Sequence, residues 1–117
     1  MTIEEFYGAI NVDVEEVKKR FGMLKIAQKF LPRFIDDPSF SQLQDAMAAG
    51  DGEAAFKASH TLKGVALNLS LNELGAIASE VTEALRGEEK DMATAAEANQ
   101  RLIPVYEDVI AKIKEVK

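Results

Sequence analysis

Apolar residues recur along this chain every three or four positions, and the strict alternation of a half-buried strand is absent. The pattern predicts helices throughout. A short first helix opens on Thr2 and Glu5, spaced as a reciprocal capping box. Asp13 and Glu16 have the same spacing ahead of Val14, Val17 and Phe21, a stripe that stops at Gly22. A longer helix follows with Leu24, Ala27, Leu31 and Phe34 on one face. Pro32 lies inside that pattern, removes one backbone donor and bends the helix unless a boundary falls there. Asp36-Asp37-Pro38-Ser39 reads as a break or a sharp kink. Ser39 and Gln42 then form a third capping box, and Phe40, Leu43 and Met47 carry the stripe toward Gly50.

Asp51 is placed to cap the next helix, which runs to Leu69 on Ala55, Ser59, Leu62, Ala66 and Leu69, the alternating four-three spacing of a bundle seam. Ser70 and Glu73 form a further capping box, flanked by Leu69 and Leu74 as a hydrophobic staple, so two helices should meet there through a tight turn. Leu74, Ile77, Val81 and Leu85 line the second helix and Gly87 stops it. After the polar turn Glu88-Glu89-Lys90-Asp91, a last helix carries Leu102, Val105, Val109, Ile113 and Val116. Its stripe keeps register across Pro104, which predicts one kinked helix and not two. Short connections between such helices predict an all-α fold. The expected architecture is an up-down antiparallel four-helix bundle with an additional short N-terminal helix and a kinked C-terminal helix, one domain over 1–117.

Composition narrows the function. With no cysteine, disulfides and thiolate metal sites are excluded. The acidic, amphipathic start MTIEEFYGAI lacks the basic segment and apolar run of a secretory signal. No apolar stretch approaches the roughly 20 residues that span a bilayer, so a cytoplasmic protein with no membrane association is expected. The net charge of −6 argues against a nucleic-acid partner. Monomer is the default state for this architecture.

The single histidine, His60, lies in the helix from Asp51 to Leu69. Helical residues advance about 100° each, so His60 points about 200° away from the core residue Leu62, into solvent. By the same rotation its face holds Phe56, Lys57, Lys63, Gly64 and Leu67. A solvated face has little use for Phe and Leu, and a mid-helix glycine costs roughly 1 kcal/mol relative to alanine. A phosphoryl carrier accounts for the set. Neutral imidazole, with an unperturbed pKa near 6.5, is a good nucleophile at pH 7. The two ammonium groups would hold a phosphoryl group, Gly64 would let a partner approach, and Phe56 and Leu67 would anchor a docking patch. Taken singly, each has a plainer reading: a surface histidine, a solvated lysine face, a Phe tucked into the bundle edge, a glycine for helix packing.

Ser59-His60-Thr61-Leu62-Lys63-Gly64-Val65-Ala66, then Asn68-Leu69 and Leu74, resembles the signature of histidine-containing phosphotransfer (HPt) domains. Ala48-Ala49-Gly50-Asp51 running into Phe56, and Val12-Asp13-Val14-Glu15-Glu16 before Phe21-Gly22, look like the family's approaches to its helices. The resemblance implies a four-helix bundle whose exposed histidine takes a phosphoryl group from the aspartate of one receiver domain and passes it to another. It maps the phosphorylated histidine to His60, the family's lysine to Lys63 and its glycine to Gly64. Where family members commonly have glycine after the leucine, this chain has Ser70, which the capping-box reading treats as equivalent. Leu67 also stands where a small or polar residue is usual, which bears on partner choice.

The partners so implied are response-regulator receiver domains or a hybrid histidine kinase. No cofactor is expected on this chain, the Mg²⁺ of phosphoryl transfer being supplied by the receiver. No Gly-rich phosphate loop is present, so the expected role is a carrier without nucleotide binding or autokinase activity. Two alternatives stay open: a helical interaction module binding through Phe56 and Leu67 with an incidental histidine, and the histidine substrate domain of a chemotaxis-type kinase. The short chain without a trailing linker favours a free-standing protein. A metal-dependent hydrolase is the weakest reading, because one histidine and scattered carboxylates offer a poor ligand set.

Overall fold

Helix ends need acceptors for their first free N–H groups, and in the computed structural model, which describes all residues 1–117, most find one nearby. α1 (Ile3–Ala9) starts on the complete Thr2–Glu5 capping box. α2 (Val14–Phe21) is capped by Asp13, which accepts from the Glu15 N–H. The expected return bond from Glu16 does not form, because that carboxylate instead accepts from Asn72 Nδ2 across the molecule at 3.2 Å. α4 (Ser39–Ala49), α5 (Gly52–Asn68), α6 (Asn72–Ala84) and α7 (Met92–Lys114) follow α3 (Leu24–Phe30). Asp51 and Asp91 cap α5 and α7 through the N–H groups of Ala54 and Thr94.

Three further local expectations are corrected. The helix through Leu24–Phe34 stops at Phe30 and tightens into a 3-10 turn, Leu31–Asp36, with Pro32 in its first turn. Proline has no N–H to continue the α-helical ladder, and the tighter turn still buries Leu31 and Phe34. The Ser39–Gln42 box is absent. Asp37 competes for its partners, accepting from both the backbone N–H and the hydroxyl of Ser39.

The third correction is at Ser70, which does not cap α6. It follows the C-cap of α5 with φ of 58°, in the left-handed region. Leu71 N–H bonds Ala66 O at 2.9 Å and Ser70 N–H bonds Leu67 O at 3.1 Å, the paired bonds of a Schellman turn. Glycine is favoured at that position for want of a Cβ, so serine is not equivalent there. The buried Ser70 hydroxyl accepts from Arg20 Nε at 3.1 Å, a partial offset.

Side-chain pairings between helices descend in one as they ascend in its neighbour. Phe40 and Gln44 of α4 meet Tyr106 and Asn99 of α7. Ser59 and Leu67 of α5 meet Thr82 and Gly75 of α6. Glu80 of α6 takes Arg101 of α7. The four long helices pack around Leu43, Leu62, Leu74, Val81 and Leu102, all at most 1% exposed, with α4 antiparallel to α7 and α5 to α6. α7 passes Pro104 as one helix, with Leu102, Val109 and Ile113 buried on its stripe. α1–α3 form an arm folded over one end of the bundle. There the buried Tyr7 hydroxyl donates to Leu69 O at 2.7 Å, pinning the arm to the α5–α6 turn. No helix is long and apolar enough to cross a membrane.

Candidate functional site

α5 divides as the rotation predicts. Ala55, Ser59, Leu62 and Ala66 are fully buried in the bundle, and His60 is exposed on the opposite face. The residue before the histidine is small for a reason. Ser59 donates to Phe56 O at 3.1 Å, and its oxygen lies 3.0 Å from Thr82 Oγ1, whose hydroxyl also reaches Ala78 O at 2.8 Å. This fully satisfied polar pair fixes the axial register of α5 against α6 directly behind the imidazole.

Around the ring, Lys57 and Gly64 are exposed and Lys63 is half-buried. A Cβ built on Gly64 meets nothing within 4 Å, so this glycine serves no helix contact and leaves open space beside the histidine. The two apolar members of the predicted face behave differently. Leu67 is half-buried against α6, where a Cβ on Gly75 would lie 2.5 Å from its Cδ2. Phe56 is half-buried on the core, its ring 5.9 Å from the His60 ring and inclined by only 11°. Both therefore lean on the bundle in part while keeping some exposed surface. Side chains at the flank of an exposed face can reach the neighbouring helix, and burial there is favourable.

Sequence reasoning missed three residues at the end of α6 and just beyond it. The Arg86 guanidinium lies 5.4 Å and the Lys90 ammonium 5.5 Å from the Phe56 ring centre. Glu83 stands with them. The hydrogen bond from Arg86 holds its carboxyl below the usual carboxylate range, and the charges of Arg86, Lys63 and His60 push the same way. Only the α5–α6 register identifies these residues, and no spacing within α5 announces them.

A second exposed feature lies on the arm. Met23, Ile26 and Phe30 are the exposed large hydrophobic residues of the chain, and all three belong to the arm. Between Val17 and Ile35 the sequence holds Lys18, Lys19, Arg20, Lys25, Lys29 and Arg33 with no acidic residue, against the acidic balance of the whole. Beside Phe30 a groove of about 320 Å³ runs to Val65 and Asn68 of α5.

Chemically, the arrangement offers an accessible ring nitrogen as nucleophile and cations on several sides to attract an anion. No group of three or more His, Cys, Asp or Glu side chains is gathered to hold a metal ion. A family model described as Hpt domain matches residues 29–115, which takes in α4–α7 and His60. No curated protein and no solved structure matches the chain.

Proposed function

The chain belongs to the Hpt domain family, whose members act in histidine phosphotransfer of two-component systems as phosphocarriers and not enzymes, and we propose that its carrier residue is His60. The observation that carries this reading is the exposure of the only imidazole in the chain, with Lys57 and Lys63 one turn to either side and open space at Gly64. A ring nitrogen of His60 attacks the phosphorus of a receiver's phosphoaspartate in line. The P–N bond forms as the P–O bond to the aspartate breaks, and the carboxylate leaves with the electron pair. Transfer onward to a second receiver reverses these roles.

Lys63 and Lys57 stabilise the charge on the equatorial oxygens, while the receiver brings Mg²⁺ and most of the transition-state stabilisation. The carrier neither binds nucleotide nor phosphorylates itself. The receiver lies over the His60 face and across the arm, where Met23, Ile26 and Phe30 supply apolar contact and the cations around them complement an acidic partner surface. Charge of that sign steers encounter more than it tightens the complex.

The test is incubation with a phosphorylated receiver domain and Mg²⁺, followed by intact mass. Wild type should gain one phosphoryl group, labile in acid and stable in base, and His60→Gln should gain none. A folded wild-type protein that stays unmodified across several receivers would overturn the reading.

A further inference from the structure

No hydrogen bond within the protein orients the His60 ring; its aromatic contact is Phe56, four residues earlier, whose ring is stacked at 5.9 Å with an 11° tilt. An exposed imidazole held by nothing would sample several rotamers, and only some aim a nitrogen at an incoming phosphorus. What holds Phe56 therefore matters to the chemistry. Its ring packs on the core cluster and meets the Lys90 ammonium at 5.5 Å.

Lys90 is unusually well fixed for a lysine in a polar turn. Its Nζ donates to Leu85 O and Gly87 O, each at 2.8 Å, closing the chain end that follows α6. Its stem lies over Gly52 in the first turn of α5, where a Cβ would come 2.6 Å from Lys90 Cδ. Gly52 is thus a slot for the lysine stem. Arg86 also faces Phe56, but it is exposed and paired with Glu83, which leaves Lys90 as the better-anchored cation.

We propose that Lys90, seated in the slot at Gly52, is a positioning residue that sets the orientation of the His60 imidazole through Phe56. The inference rests on the carrier reading for its consequence, though not for its geometry. Cation–π attraction holds the Phe56 ring in place, and the stacked ring restricts the imidazole to the rotamer that presents its edge to the partner. Phe56, expected from sequence to be a docking anchor, thereby acts on the nucleophile and not on the receiver.

The experiment uses phosphoramidate, a small donor that needs no docking surface. Its phosphoryl group moves to the imidazole nitrogen as its own P–N bond breaks and ammonia leaves. Because His60 is the only histidine, its ring protons can be followed by NMR without ambiguity. Phe56→Leu should slow charging by phosphoramidate about tenfold and abolish the ring-current displacement of the His60 ring protons. Phe56→Tyr should restore both. Gly52→Ala, a substitution favourable to helix that displaces the Lys90 stem, and Lys90→Met should each reproduce part of the Leu phenotype with the fold retained.

Wild-type charging and shifts in both Gly52→Ala and Lys90→Met would overturn the proposal. So would a Phe56→Leu variant impaired with a receiver but not with phosphoramidate, which would return Phe56 to docking. If wild type accepts phosphoryl from neither donor, the carrier function itself fails. The ring-proton shifts still decide whether Lys90 orients the ring.

Discussion

Gly64 and Gly75 stand on adjacent helices, each in a helix interior where glycine costs roughly 1 kcal/mol relative to alanine, and the fold puts them to opposite uses. A side chain on Gly64 would enter open space beside His60. One on Gly75 would drive into Leu67 at 2.5 Å. The first glycine leaves the outer face of α5 clear beside the histidine. The second lets α5 and α6 close up so that Leu67 can cover the seam between them. The same residue type marks a site in one place and a packing contact in the other, and only the neighbour across the gap tells them apart.

That contrast can be broken from either side. The largest effect is expected at Gly64→Gln, which fills the space beside the imidazole. Transfer from a phosphorylated receiver should fall about a hundredfold, while thermal unfolding shows stability unchanged or raised by up to about 1 kcal/mol. A receiver that charges this variant at the wild-type rate would show that the open space is not used. Gly75→Val should do the reverse. It overpacks the seam and destabilises by about 2 kcal/mol in chemical denaturation, with receiver transfer per folded molecule within a few-fold of wild type.

The turn that sets how the two helices face each other should respond more mildly. Tyr7→Phe leaves Leu69 O without its donor and should cost about 1–2 kcal/mol. Burial pushes the Tyr7 hydroxyl well above its ordinary value, so the protonated form is favoured in the folded state. Its contribution is full below the unfolded tyrosine pKa of about 10 and is lost as pH climbs from there toward the raised folded value. Denaturation at pH 9 and pH 11 should therefore show a steeper alkaline loss in wild type than in Tyr7→Phe. The smallest change belongs to Ser70→Gly. Relief of the left-handed backbone should outweigh the lost bond from Arg20 and raise stability by up to about 1 kcal/mol; a lower melting temperature would mean that the Arg20 contact dominates.

Much of α5 is legible in the amino-acid order. The rotation that sends His60 outward and Leu62 inward uses only the pitch of a helix, and the stripe from Ala55 to Leu69 is buried as its spacing predicts. The caps at Thr2 and Asp51 are equally readable, because an acceptor two or three residues from a free N–H is a local matter. The failures have separate causes. At Ser39 an upstream aspartate takes the partners that a capping box needs. At Glu16 the carboxylate goes to Asn72, and at Ser70 the chain is still finishing one helix where the spacing suggests the start of the next.

Helical class, the exposure of the one imidazole and the face on which it stands thus follow from residue order. Each is set by backbone stereochemistry acting over a few residues. Packing between helices is what makes Leu67 lean on Gly75 and brings Arg86 and Lys90 to the Phe56 ring. Those relations depend on how far α6 slides along α5. That axial register is chosen by the fit of buried side chains such as Ser59 and Thr82, and a helical period, which repeats along its own axis, carries no information about it.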